Sequence, residues 1–124
     1  MAGVRAELAG TRLPGRAFWR ADLRRADLSG ADLRRCNLEH ALMSGATLTR
    51  ADLGGASLWQ ADLAGACLGE VNFQGAKLDH ADLRGADLRG ADLGRASVWG
   101  AHVEGTDLHE TIGLVPEQLS VLRR

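Results

Sequence analysis

The feature that most constrains this 124-residue chain is a repeat with a period of five residues. It is clearest over residues 81–95, where Ala-Asp-Leu opens three successive units. The same frame runs without a slip from Ala6 to Glu110, which gives 21 consecutive units. With so strict a period, each unit can bury its apolar face only against neighbouring units, and this is typical of a solenoid.

Each unit of five has an apolar side and a polar side. Its third position is Leu, Phe, Met or Val, its first position is nearly always small, and the other three are mostly polar or Gly. The period fits neither the helical repeat nor a simple alternation, but it does fit a short extended piece followed by a corner. Positions one and three of an extended piece point to the same side, so we expect them to face inward.

Glycine at the fifth position marks where the corner lies. Such a glycine supplies the positive φ that a tight turn requires. The clearest examples are Gly30, Gly45, Gly55, Gly65, Gly75, Gly85 and Gly90. The sequence therefore predicts a square coil that bends after every unit, with one large and one small side chain on each inner wall.

The repeated Ala-Asp-Leu-x-x unit resembles the motif of the pentapeptide-repeat family, Ala-(Asp/Asn)-Leu-x-x, over about 105 of the 124 residues. The resemblance implies an all-β solenoid, namely a right-handed quadrilateral β-helix with four units, hence 20 residues, in each of about five coils. Adjacent coils would stack at about 4.8 Å, which gives a rod roughly 25 Å long.

The repeat divides the chain into a lead-in at residues 1–5, the β-helix at 6–110 and a C-terminal cap at 111–124. Pro116 can begin a short α-helix. This helix would carry an apolar stripe made of Val115, Leu119 and Leu122. We expect it to cover the open edge of the last coil, with a role in dimer formation as the alternative.

Several single residues indicate what faces in and what faces out. Arg16 takes a first position, so we expect the first coil to be open enough for its guanidinium to reach water. Leu42 takes an outward second position. Cys36 is predicted inward and Cys67 outward on another wall, so no disulfide is expected, and a reducing cytoplasm fits. No apolar run approaches membrane-spanning length and residues 1–10 lack a signal h-region, so we expect no membrane contact.

Sorting the outward residues by a 20-residue circuit brings every tryptophan into one column. At the fourth position this Trp column reads Trp19, Glu39, Trp59, Asp79 and Trp99. The neighbouring fifth-position column reads Arg20, His40, Gln60, His80 and Gly100. Exposed aromatic residues anchor protein contacts. We therefore predict a protein-binding face made of the Trp column together with His40 and His80.

A 40-residue duplication is the other interpretation of the Trp column. Asn-Leu-Glu-His at 37–40 is echoed at 77–80, and Ser-Leu-Trp-Gln at 57–60 is echoed at 97–100. Copying alone would place the tryptophans in register, whether or not they bind anything.

The sequence predicts no catalytic site. Stacked carboxylates, such as Asp32 over Asp52, would lie on a convex wall without a cleft, where water solvates them. His40 and His80 would lie two coils apart, too far to ligate one metal ion. No Ser or Cys has a base placed beside it by spacing. We expect a protein that is not an enzyme and that uses no cofactor and no metal.

Two functions remain open. The first is a rod-like interaction scaffold that binds a protein partner, or a second copy of itself, through the Trp column. The second is implied by the resemblance: some pentapeptide-repeat proteins mimic duplex DNA and protect DNA gyrase, a type II topoisomerase, from quinolones or toxins. Such mimics are strongly acidic, whereas this chain has a net charge of −1, with interspersed Arg. Interleaved Asp would repel phosphates, so we expect no direct binding to nucleic acid.

Overall fold

A computed structural model describes residues 5–114 of the chain. The predicted capping helix at Pro116 and beyond, and most of the predicted lead-in, lie outside the described residues.

Parallel β-bridges join second-position residues that are 20 apart in the sequence. They run in an unbroken series from the pair Glu7 and Asp27 to the pair Asp92 and Ile112. Four units therefore complete one circuit, as predicted, and the chain winds as an all-β solenoid. Each bridge is isolated, so no strand longer than one residue and no helix has bounds to report within residues 5–114.

Backbone hydrogen bonds between successive coils hold the bridges in register. The Asp27 N–H donates to the carbonyl of Ala6 in the coil before it at 2.9 Å. The Leu8 N–H donates to the carbonyl of Asp27 in the coil after it at 2.8 Å. The same pattern recurs on every wall, so the N–H groups at the second, third and fifth positions of the inner coils are satisfied by the two neighbouring coils.

Every unit ends in a tight turn whose fifth residue has a positive φ. At Ala26, the first-position N–H closes the turn on the carbonyl of Leu23 at 3.0 Å. The positive φ at the third turn residue is what a type II turn requires. Gly30 has a φ of 67°, as its sequence position predicted, but Arg25 has nearly the same value, 59°. Ten larger residues adopt this conformation: Arg20, Arg25, Arg35, His40, Arg50, Gln60, Glu70, His80, Arg95 and Glu110.

The core is a ladder of first- and third-position side chains, as the pattern predicted. From Ala26 to Val103 these residues are buried in every coil. No polar or charged side chain is buried in the described part of the chain. Arg16 and Leu42 are exposed, and the two cysteines are free, with Cys36 buried and Cys67 exposed.

The second-position Asp and Asn residues cap the turns, a role that the inside-outside pattern had not assigned to them. In each case a side-chain oxygen accepts the backbone N–H two residues later; Asp52, for example, accepts from Gly54 at 3.0 Å. This Asx-type bond mimics a backbone turn. It is made by Asp22, Asp27, Asp32, Asn37, Asp52, Asp62, Asn72, Asp82, Asp87, Asp92 and Asp107.

Candidate protein-binding wall

One outer wall of the solenoid carries all three tryptophans. This Trp wall consists of residues 16–20, 36–40, 56–60, 76–80 and 96–100. Successive bridges join its second positions, which are Ala17, Asn37, Ser57, Lys77 and Ser97. At the corner of the wall, the His40 N–H donates to the Trp59 carbonyl at 3.0 Å, and the His80 N–H donates to the Trp99 carbonyl at 2.8 Å. The predicted column is therefore a physical row, with a tryptophan in every second coil.

The indoles of the Trp wall face solvent. Trp19 is 54% exposed, Trp59 is 40% exposed and Trp99 is 62% exposed. Within residues 5–114 only Leu42 and Ile112 are other large apolar side chains with comparable exposure. Exposed aromatic groups that gather on one face are typical of interaction surfaces.

Neighbouring side chains hold two of the indoles. The ring centroid of Trp59 lies 5.1 Å from that of His40 and 6.4 Å from that of His80, both in edge-on geometry. The guanidinium carbon of Arg20 lies 4.6 Å from the centroid of the Trp19 ring, in cation–π contact. The predicted histidines are thus brought directly against the central tryptophan.

A small residue at position 100 makes room for one of these histidines. A Cβ atom added to Gly100 would lie 2.5 Å from Nδ1 and 2.7 Å from Cε1 of His80. The imidazole therefore lies across Gly100 on one side and against Trp59 on the other. Any larger residue at position 100 would displace it.

The two acids of the Trp column bond within the chain. Glu39 Oε2 accepts a hydrogen bond from Ser57 Oγ at 2.8 Å. Asp79 Oδ1 accepts from Ser97 Oγ and also from the backbone N–H of Trp99, the latter at 2.9 Å. Each carboxylate thus reaches a residue of the following coil, on the wall that has no second-position Asp. Ser57 and Ser97 were missed as site residues, although their spacing of 18 residues from the acids was available as a signal.

On the adjoining walls, three carboxylates pair with an arginine two residues later: Asp22 with Arg24, Asp32 with Arg34 and Asp82 with Arg84. Arg24 donates from Nε to Asp22 Oδ1 at 2.8 Å, and this bond holds the pKa of that carboxyl at about 2. Arg34 has the same effect on the pKa of Asp32, also about 2. The Asp22–Arg24 pair is exposed, and in the other pair Asp32 is partly covered while Arg34 is exposed, so water screens both pairs and each stabilises the fold only slightly.

The charges of the Trp wall differ from those of the wall opposite. The Trp wall carries Arg16, Arg20 and Lys77 against Glu39 and Asp79. The opposite wall, here called the acidic wall, consists of residues 6–10, 26–30, 46–50, 66–70, 86–90 and 106–110. It carries six acids against two arginines, a net charge of −4. The solenoid is therefore polarised across its width.

A family model described as pentapeptide repeats matches residues 4–39, 41–78 and 66–98, with eight copies of the repeat. The chain belongs to the pentapeptide-repeat family. The walls and the turns capped by second-position Asp, as described above, are therefore those of a pentapeptide-repeat protein.

Solved pentapeptide-repeat structures resemble the chain over most of its length. One from the Arabidopsis thaliana thylakoid lumen is 31% identical with a TM-score of 0.59, and the match covers 90% of this chain and 73% of that one. Rfr23 from the cyanobacterium Cyanothece 51142 is 32% identical with a TM-score of 0.43, covering 86% and 87%. Full-length QnrB1, a plasmid-mediated fluoroquinolone resistance protein, is 20% identical with a TM-score of 0.37, covering 94% and 68%. A comparison with curated protein sequences finds no match.

Across residues 5–114, no group of three His, Cys, Asp or Glu residues is placed to hold a metal ion. In the same part of the chain, no helix has the length and apolar character needed to cross a membrane.

Proposed function

We propose that this pentapeptide-repeat protein is a non-catalytic interaction scaffold, a right-handed rod of about five coils that binds a protein partner through the Trp wall. The observation that carries the proposal is the row of three exposed tryptophans on one wall. Tryptophan is among the residues that contribute most to protein binding when a partner covers them.

The framework behind the indoles is rigid, which favours binding. The three inner units of the Trp wall are hydrogen-bonded to the coils on both sides, and Trp59 contacts His40 and His80. A preorganised surface loses little conformational entropy when a partner docks, so more of the contact energy appears as affinity. A 40-residue duplication explains why tryptophan recurs along the wall, but it does not explain why these large apolar side chains are exposed.

The role of each residue in the wall follows from its contacts. Trp19, Trp59 and Trp99 provide the contact area, and His40 and His80 orient the central indole. Glu39 and Asp79, predicted as partner-binding residues, are proposed instead to position the wall through Ser57 and Ser97.

A pull-down with matched variants tests the proposal. The immobilised wild type is compared with Trp59→Ala and with Leu42→Ala, an exposed apolar residue on the adjacent wall. We expect a captured protein to be lost or strongly reduced with Trp59→Ala and retained with Leu42→Ala. The purified partner should then shift the tryptophan emission to shorter wavelength. Equal capture by both variants would rule out the Trp wall as the binding surface.

Because one wall is acidic, protection of DNA gyrase is a second candidate function. That wall's net charge of −4 is the kind of surface that a duplex mimic presents. Against it, Arg89 Nη2 lies 2.8 Å from Asp87 Oδ2 on that wall, so part of the acidic charge is neutralised locally. A supercoiling assay with and without a quinolone tests this role; absence of protection at micromolar protein would remove it.

A further inference from the structure

The Trp wall is too narrow for a globular partner. Its five units stack to about 25 Å, and three extended residues span about 10 Å across it. The product, about 250 Å², is well below the roughly 800 Å² per partner of a standard protein interface. A second copy laid flat on this wall would be held only weakly for the same reason. The dimensions favour a single extended segment that lies along the row of indoles.

The spacing of the indoles selects the conformation of that segment. Tryptophans in every second coil are about 9.6 Å apart, since coils stack at about 4.8 Å. A polyproline II helix presents the same face every three residues, which is about 9.3 Å. A β-strand repeats its face every 6.6 Å or so, so a strand in register at Trp19 would be out of register at Trp59. An α-helix repeats at about 10.5 Å every seven residues.

The mismatch between the α-helical repeat and the spacing of the indoles grows over the whole row. From Trp19 to Trp99 the separation is about 19 Å, four coil spacings. Six residues of polyproline II cover the same distance to within about 1 Å, whereas two helical repeats overshoot it by about 2 Å. Seven residues in the polyproline II conformation therefore reach all three indoles with one face.

The Trp wall also provides hydrogen-bond donors for the carbonyl groups of such a segment. A polyproline II helix has no internal hydrogen bonds, so its carbonyl groups require donors. Within residues 5–114 the indole N–H groups and the side chain of Gln60 make no hydrogen bond to the protein. These donors line the same corner as the aromatic faces, and aromatic surfaces are the usual docking sites of proline-rich segments.

Charge complementarity indicates the residues between the prolines. Arg20 and Lys77 stand on the Trp wall, and in the described part of the chain neither is ion-paired with a carboxylate. The acids of the wall, Glu39 and Asp79, are already bonded to Ser57 and Ser97. With Arg16, the Trp wall carries three cations against these two carboxylates, a net charge of +1, so acidic residues in the segment are favoured.

From these observations we propose that the occupant of the Trp wall is a proline-rich, acidic segment of another protein, bound as a polyproline II helix along Trp19, Trp59 and Trp99. This inference rests on the proposed function of the wall and adds the chemistry and conformation of the partner. It assigns one contact to each indole, at every third residue of the segment.

Three nine-residue peptides with blocked ends test the proposal by tryptophan emission and calorimetry. They are (Pro-Pro-Glu)3, the flexible peptide (Gly-Ser-Glu)3 with the same charge, and (Pro-Pro-Lys)3 with the opposite charge. All three tryptophans of the chain lie in the wall, so the emission reports directly on it. We expect saturable micromolar binding of (Pro-Pro-Glu)3 and binding at least tenfold weaker for the other two. Trp59→Ala should weaken it about tenfold, and Leu42→Ala should leave it unchanged.

Each other outcome overturns the proposal in a distinguishable way. Equal affinity for (Gly-Ser-Glu)3 would remove the conformational requirement, and equal affinity for (Pro-Pro-Lys)3 would remove the charge requirement. No saturable response to (Pro-Pro-Glu)3 at 1 mM or so, a scale at which only about 4 kcal/mol of binding is needed, would exclude the ligand class. Concentration-dependent emission without peptide would assign the wall to a second copy, and tighter binding of a single-stranded oligonucleotide would assign it to nucleic acid. If these results exclude the peptide while Trp59→Ala still abolishes partner capture, the proposed function stands and only this inference fails.

Discussion

At the scale of single residues, the turns impose a left-handed backbone whether or not the residue is glycine. Gly65 has a φ of 67°, and Arg95 has a φ of 56° at the equivalent position of another unit. A left-handed conformation costs an L-residue roughly 1–2 kcal/mol. The bonds between coils hold the larger residues in that conformation, because each turn repeats the turn below it.

Gly65→Ala and Gly69→Ala should change stability in opposite directions. No atom lies within 4 Å of a Cβ added at Gly65, so Gly65→Ala should cost about 1 kcal/mol through its positive φ alone. Gly69 has no positive φ, and a Cβ added there would meet only the Arg89 carbonyl oxygen, at an ordinary contact distance of 3.7 Å. Gly69→Ala should therefore stabilise by about 0.4–1 kcal/mol by restricting the unfolded chain. Urea denaturation at neutral pH measures both; destabilisation by equal amounts would contradict the assigned turn positions.

Acid should destabilise the protein through its Asp–Arg pairs. The bond from Arg34 lowers the pKa of Asp32 to about 2 in the folded chain, against about 3.9 in the unfolded chain. A carboxyl with a lowered pKa stabilises the fold above the unfolded value, and this contribution is lost as pH falls from about 4 to 2. We expect the melting temperature to fall over this interval, and to fall less in Asp32→Asn. The Asn keeps the turn bond, as Asn72 does with Gln74. An equal fall in wild type and variant would show that this pair is not responsible.

At the scale of the five-residue unit, one ladder supplies stability and another shapes the turn. Leu53 is fully buried between coils. Asp52, beside it in the sequence, points outward but accepts hydrogen bonds from the Gly54 N–H and from Asn72 Nδ2, both at 3.0 Å. The outer face of the unit is therefore part of the turn structure and not a free surface.

Leu53→Ala should cost about 2–5 kcal/mol, because it removes buried contacts and leaves a cavity. Asp52→Ala should cost about 1 kcal/mol, since it removes the acceptor of two half-exposed hydrogen bonds. Asp52→Asn keeps an acceptor and should cost less than Asp52→Ala. Chemical denaturation of the three variants measures the order, and equal costs for Leu53→Ala and Asp52→Ala would contradict the assigned inside and outside.

At the scale of the whole molecule, function depends on the register of 20 residues more than on any one unit. All walls share the same inner pattern, so units are interchangeable as far as the core is concerned. The outer walls are not interchangeable, because only one carries the tryptophans and the opposite one is acidic. A change in register should therefore preserve the fold and redistribute the outward side chains among the walls.

Deletion of residues 46–50 should leave a folded solenoid in which Trp59 and Trp99 move to a different wall from Trp19. Deletion of residues 61–80 removes one whole coil and should keep the three tryptophans on one wall. Because stability in a solenoid is a sum over neighbouring repeats, both deletions should remain cooperative in thermal unfolding followed by circular dichroism. The shorter deletion should abolish partner capture through the Trp wall. The longer one places Trp59 and Trp99 in adjacent coils but keeps the spacing of Trp19 and Trp59, so it should only weaken capture. An unfolded chain after the deletion of 46–50 alone would show that the walls are not interchangeable.

The amino-acid sequence by itself determined which side chains face inward and which share a wall. Leu53 inside, Leu42 outside and the three tryptophans in one row all follow from counting positions, because the covalent period fixes the register. Only the tertiary structure showed that Arg25 adopts a glycine-like turn. It also showed that Asp79 bonds to Ser97 of the following coil, and that Trp59 lies between His40 and His80. Those features depend on the direction of each side chain and on the atoms that the neighbouring coil places beside it, and a repeat pattern contains neither.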